Sequence, residues 1–312
     1  MNLFIIGNGF DIGHKLPTHY WDFRIFLEEH HPIFLNDFEE KYFLWGKELE
    51  TLLWNDFEFN LANIQEDTLF EQMYQSTDLG LDSGNVGIED TLRHHFREEF
   101  NYINKLTIYL KEWIEEVSQK LDGTNKRTSF IKENSLDIFI NFNYTTTLEE
   151  VYSIKNDKVL HIHGVVNSDD NLVLGHSNED RIAYFNKKCR EYQNIGDEQS
   201  APIYNILAEY CSRTYKDVQE NIPLLWSLDN DPIEKIMIIG HSLSTVDLPY
   251  FKAIKEITGE DVEWNIYYYD ENATDMFRER LKLIGVDEQQ IHMIPSSEFY
   301  DLPIVDQISL KL

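Results

Sequence analysis

The feature that most constrains this chain is a repeated grammar: a short apolar run that breaks off at glycine, asparagine or histidine. Residues 3–6 close on Gly7-Asn8-Gly9, 136–140 on Asn141-Phe142-Asn143, and 159–162 on His163-Gly164. Residues 172–174 close on Gly175-His176, 236–239 on Gly240-His241-Ser242, 264–269 on Asp270-Glu271-Asn272, and 291–294 on Pro295. Runs of this length, apolar at nearly every position, predict strands covered on both faces. The expected fold class is therefore α/β: a Rossmann-like, mostly parallel sheet with helices on both faces.

Between the first two strands the period changes. Phe38, Tyr42, Trp45, Leu49 and Leu52 step by four and three, and Phe96, Ile103, Leu106, Leu110, Trp113, Val117 and Leu121 follow a similar rule. Both sets predict amphipathic helices, with Pro32 separating the first helix from the next and Asp122-Gly123-Thr124-Asn125 as a terminating turn. We expect a large α-helical insertion after the first strand, residues 19–125. The nucleotide-binding core is then built from 1–18 and 126–312. Residues 76–87, with three glycines, form the insertion's loosest part, and a second helical stretch lies near 201–226.

Charge narrows the partners. The 312 residues carry 27 Lys and Arg against 56 Asp and Glu, a net charge of −29. Phosphate backbones and anionic membranes call for basic faces, so neither bare nucleic acid nor a membrane is an expected partner. Only Cys189 and Cys211 occur, which excludes a Cys-x-x-Cys zinc or redox module. The start lacks a basic leader, and no run reaches the ~18–20 apolar residues of a membrane span, so the expected location is cytoplasmic.

Four segments are placed for chemistry. Gly7-Asn8-Gly9-Phe10-Asp11 follows the first strand, where glycines permit a sharp turn and close approach to a pyrophosphate. Strand-to-helix turns also need glycine for their own geometry. His161 and His163 end a strand; period two puts both rings on one face, as in some metal pairs, with His176 and His241 as recruits. A histidine at a sheet's carboxyl edge is equally placed for general base work. Asn141 and Asn143 either orient a ligand or lead into a helix begun at Thr145-Thr146-Thr147. Gly240-His241-Ser242-Leu243-Ser244 is similar to a nucleophile elbow, with Asp270 and His292 following in hydrolase order. Ser244 replaces that elbow's last glycine, and His292 lies inside a strand-like run.

Taken together, these segments resemble the AbiH family of bacteriophage abortive infection proteins. The matching residues are Ile5-Ile6-Gly7-Asn8-Gly9-Phe10-Asp11, Leu16-Pro17-Thr18-His19-Tyr20-Trp21-Asp22-Phe23, Phe142-Asn143-Tyr144-Thr145, His161-Ile162-His163-Gly164, and Gly240-His241-Ser242-Leu243 with Asp247. Lys15 stands where the family pattern has Gly. The motif order is also distantly similar to sirtuin-like NAD-consuming domains, although Thr18, Tyr20 and Thr145 differ from the residues those domains carry. The resemblance implies a phage-defence NAD glycohydrolase that takes NAD as substrate and needs no metal. Asn143 and His163 would be catalytic. Gly7, Asn8, Gly9, Phe10 and Asp11 would hold the pyrophosphate end, Asp11 either bonding a ribose or capping a helix; Ser242 and Asp270 would hold the adenosine half. It further implies control through homo-oligomer assembly or a phage-derived trigger. The alternatives are a non-catalytic nucleotide or ADP-ribose sensor acting through a partner, and a serine hydrolase using Ser242, Asp270 and His292.

Overall fold

The computed structural model describes residues 1–81, 104–166, 168, 172–230 and 232–304. The chain divides into two compact units. Unit 1 comprises Met1–His19, Lys111–Leu172 and Val218–Leu312, and unit 2 comprises Tyr20–Leu110 and Val173–Asp217.

Unit 1 holds a six-stranded sheet in the order β3-β2-β1-β4-β5-β6, every neighbouring pair parallel. The strands are β1 (Asn2–Ile6), β2 (Ile138–Asn141), β3 (Val159–His161), β4 (Lys235–Ile239), β5 (Glu263–Tyr268) and β6 (Ile291–Pro295). In-register pairs fix the edge: Ile6 lies opposite Asn141 and Ile239, and Asn141 opposite His161. Alternation along β1 feeds both faces. Leu3 and Ile5 enter a core with Ile236, Ile238, Tyr250, Phe251 and Leu225, drawn partly from the helix Leu248–Thr258. On the other face Phe4 stacks on Phe139 at 5.0 Å, and Phe10 of the helix Asn8–Gly13 packs near Tyr152 and Phe299. The α/β sheet with helices on both faces is the fold class expected from the apolar runs.

One expected strand is absent. Residues 172–174 form no strand; the neighbouring chain makes only an isolated bridge, His176 to Tyr215. Gly175 packs instead on the Thr214 and Lys216 backbone, where an added Cβ would come within 2.4 Å of the Thr214 carbonyl oxygen.

The described part of unit 2 consists of helices and loops, including Tyr20–His30, Pro32–Glu40, Glu66–Leu81, Glu179–Asn194 and Ser200–Arg213. Its core is aromatic: Trp54 and Phe57 stack at 4.6 Å, with Phe23 and Phe38 against them. The single helix predicted through Phe38 and Leu52 is instead broken. Phe43 (φ 50°) and Gly46 (φ 56°) turn the chain left-handed, and a short turn of π-helix follows at Glu50–Trp54. Phe38, Tyr42 and Leu49 keep their buried places, whereas Trp45 is 71% and Leu52 55% exposed. The second periodic set fares better: 104–118 is helical, and Leu106, Leu110, Trp113, Val117 and Leu121 are all buried. Phe96 and Ile103 lie outside the described residues. Of the segment read as loosest, 76–81 completes the helix Glu66–Leu81, and 82–87 lies outside the described residues. Among the described residues no helix is long and apolar enough to cross a membrane.

Candidate functional site at the switch point of the sheet

The strand order reverses between β1 and β4, so two loops face each other beyond the carboxyl ends of adjacent strands. In open α/β sheets this crevice is the usual ligand position. The loops are in direct contact: Gly7 N donates to Ile239 O at 2.9 Å, and Gly9 N to Gly240 O at 2.8 Å. A Cβ on Gly7 would lie 2.6 Å from His241 Cα, and one on Gly9 2.7 Å from Gly240 Cα. Gly240 adopts φ +67°, and its Cβ would fall 2.2 Å from Phe10 N. These glycines therefore serve the contact between the loops. Two amides that the sequence aims at a pyrophosphate are donated to the β4 side. Asn8 places its side-chain amide on Thr18 O at 2.6 Å.

Asn143 joins this junction from β2. Its Nδ2 donates to Gly7 O at 3.2 Å, and its backbone N–H donates to Asn141 Oδ1 at 3.0 Å. Asp11 lies beneath, inside the helix Asn8–Gly13 and away from any cap. It is 1% exposed and accepts hydroxyl bonds from Thr145 (2.6 Å) and Thr147 (2.7 Å). Burial pushes its carboxyl up to about 6, against the lowering effect of the hydroxyls. The threonine run thus begins the helix Thr147–Tyr152 and also grips a carboxyl group. Thr146, at the cap position, makes no capping bond and instead donates to Glu150 at 2.6 Å.

On the other side of the edge, Asp247 lies between two imidazoles. Its Oδ1 is 3.5 Å from His163 Nε2, and its Oδ2 is 3.5 Å from His241 Nε2. All three residues are buried. Phe142 sets its edge against both rings, at centroid distances of 5.0 Å from His163 and 4.4 Å from His241.

With the edge defined, comparison with known proteins is informative. The sequence pattern described as bacteriophage abortive infection AbiH matches residues 3–268. The chain belongs to the AbiH family. A search of curated proteins gave no match. Membership makes this a phage abortive infection defence protein. Four of the AbiH-like segments, those at residues 5–11, 142–145, 161–164 and 240–247, supply the loops and strand ends of this edge. Lys15 holds φ 66° and so makes a left-handed turn without glycine, the residue best suited to it.

The remaining candidates of this AbiH protein separate. Phe10 is fully buried in the core. Ser242 is exposed, and Arg280 Nη1 donates to the carbonyl oxygens of Ser242 and Leu243 at 2.9 Å. Asp270 is exposed at the end of β5 and accepts from Asn272 N at 3.0 Å. His292 is in register with Asn265 and hence with Met237, inside the sheet and two strands from Ser242. That register position keeps the serine, aspartate and histidine from assembling. The two imidazoles of the His-x-His pair also part: His161 Nε2 meets Glu149 Oε1 at 2.7 Å and its Nδ1 faces Asn141, while His163 turns to Asp247. In unit 2, His176 Nε2 donates to Cys211 O at 3.0 Å and Nδ1 accepts from Asn178 N, and burial lowers its pKa to about 4. Among the described residues no cluster of three His, Cys, Asp or Glu suits a metal.

Sequence reasoning did not assign roles to Asp247 or Glu149, and gave Thr145 and Thr147 only a place at a helix start. Asp247 and Thr145 lay inside family motifs, but loop residues carry no period that would announce a partner.

Proposed function

We propose that this AbiH protein is a glycohydrolase that cleaves the N-glycosidic bond of NAD or a closely related nucleotide. The observation that carries the reading is the junction at the switch point. The loops after β1 and β4 meet there, Asn143 is bonded to one of them, and His163 is set against Asp247 and His241 beside the other. A parallel sheet in this strand order receives dinucleotides outside the carboxyl ends of its strands. In this reading Asn143 and His163 meet the ribose bearing nicotinamide.

Cleavage passes through a ribose with oxocarbenium character. The C1′–N bond breaks with its electron pair moving to the pyridinium nitrogen, so nicotinamide leaves neutral. A water adds to C1′, and His163 accepts its proton. The products are nicotinamide, ADP-ribose and a proton. Asn143 steadies the ribose, Asn8 and Ser242 offer polar groups to the phosphates and adenosine half, and Asp270, exposed after the neighbouring strand β5, is assigned to the same half. A protein of net charge −29 must hold an anion through amides and hydroxyls rather than a basic face. Such a reaction in the cytoplasm needs restraint, which we assign to self-assembly or a phage-derived trigger.

The test is nicotinamide release from NAD and from its phosphate, followed with wild type and His163→Ala. Release by wild type and its loss in the folded variant are expected; equal release by both overturns the assignment of His163. The 3% exposure of His163 favours one second reading, a sensor that binds ADP-ribose without hydrolysis. Calorimetric binding of ADP-ribose with no nicotinamide release from NAD would select it.

A further inference from the structure

We propose that Arg280 is the phosphate-binding residue of this edge, its guanidinium taking a phosphate of the adenosine half of the dinucleotide. The inference rests on reading the switch point as a dinucleotide site. Arg280 belongs to the helix Thr274–Leu283, which follows β5 and is anchored in the core by Phe277 and Leu281. Its Nη1 donates to Ser242 O and to Leu243 O, each at 2.9 Å. The two carbonyls converge on one nitrogen where the chain is left-handed: Leu243, fully buried, holds φ 52°. The guanidinium is therefore fixed against the turn after β4 before any ligand arrives, beside exposed Ser242.

A phosphate at this edge has few other donors. The amides of Gly7 and Gly9 are spent on Ile239 O and Gly240 O, so the glycine turn offers a pyrophosphate less than its sequence implies. A net charge of −29 repels anions, and a local cation offsets that repulsion where the ligand sits. The same helix carries two other cations, but Arg278 and Lys282 both meet Glu288. Among the described residues Arg280 meets no carboxylate, and its Nε and Nη2 have no acceptor. Arginine's donors form a planar fork, and with Nη1 occupied the open edge is the one formed by Nε and Nη2. Such an edge takes two phosphate oxygens side by side. Arg280 is half-buried, and pinning a long side chain in advance removes part of the ordering cost of binding. A lysine in its place supplies a point charge without the fork.

Calorimetric titration of the full-length protein with adenosine, ADP-ribose and 2′-phospho-ADP-ribose tests this, in wild type, Arg280→Gln and Arg280→Lys. Kd for a ligand whose phosphate meets Arg280 should rise about tenfold in Arg280→Gln and less in Arg280→Lys, while Kd for adenosine stays within about twofold. A rise shared by both phosphorylated ligands places the pyrophosphate on Arg280. A rise confined to 2′-phospho-ADP-ribose places the 2′-phosphate there and makes the phosphate of NAD the better substrate. Adenosine weakened as much as ADP-ribose means that Arg280 only supports the turn, and it overturns the proposal, as do unchanged affinities for all three ligands. A wild type that binds these ligands but releases no nicotinamide removes the glycohydrolase reading and leaves Arg280 to be decided by the binding data. If wild type binds none of them, the dinucleotide reading has failed, and inorganic pyrophosphate titrated into 15N-arginine-labelled protein decides the phosphate site. A shifted Nε–H signal that is missing from Arg280→Lys keeps that site, and no shift ends it.

Discussion

Gly9 and Gly240 meet backbone to backbone: the amide of one donates to the carbonyl oxygen of the other at 2.8 Å, and neither has room for a methyl group. The contact joins the turn after the first strand to the turn after the fourth. Both glycines are therefore demanded by the scaffold before any ligand is considered. Gly240→Ala should cost at least about 3 kcal/mol, combining left-handed strain with a clash against Phe10 N. Gly196→Ala is the control, since Gly196 also has positive φ (+74°) but open space around it. It should cost about 1 kcal/mol. Urea midpoints of the two variants measure the difference, and equal midpoints would refute the packing account.

Lys15→Gly should raise stability by roughly 0.5–1 kcal/mol. The lysine is exposed and sits at φ 66°, so glycine relieves backbone strain at the expense of some unfolded-chain entropy. A higher urea midpoint with unchanged slope is the expected result.

Acid sensitivity should be governed by two neighbours with opposite signs. Folded Asp11 has its pKa raised from 3.8 to about 6 by burial, so its contribution is complete below about pH 4 and is lost as pH rises through 6. His14 has its pKa lowered from 6.5 to about 4 by burial. Its Nδ1 lies 2.8 Å from Phe10 O and its Nε2 2.8 Å from Tyr152 Oη. Its contribution is present above pH 6.5 and lost as pH falls toward 4. Between pH 4 and 6 the two largely cancel. Asp11→Asn removes one side, so the variant's stability should fall by about 1.4 kcal/mol per pH unit relative to wild type on acidification. Parallel stability curves for the two proteins over that range would contradict the burial of Asp11.

Ser242 should resist organophosphate labelling. His292 lies within β6, in register with the middle of β4 and two strands away, so no imidazole reaches the hydroxyl from the hydrolase order. Mass spectrometry after treatment should find the residue unmodified; stoichiometric labelling would revive the serine hydrolase reading.

The sheet was legible because strands buried on both faces are written as apolar runs, and all six observed strands were anticipated from them. What misled was local: residues 172–174 satisfy the apolar rule but form no strand. The step of four and three through Trp45 continues across a turn that only Phe43 and Gly46 betray, and phenylalanine gives no warning of a positive φ. At the edge itself, the glycines, Asn143 and the histidines could be picked out as residue types at strand ends. Their partners could not. Asp247 and Glu149 are ordinary acidic residues until the fold brings His241, His163 and His161 to them.

The central place of β1 has a consequence for biosynthesis. The first of the six strands to be translated pairs with Ile138–Asn141 on one side and Lys235–Ile239 on the other. It must wait for most of the polypeptide before its second neighbour exists, and Gly9 has no acceptor until Gly240 is translated. A message cut short before that codon yields a fragment with half a crevice. The junction at the switch point is thereby deferred until translation has passed Gly240.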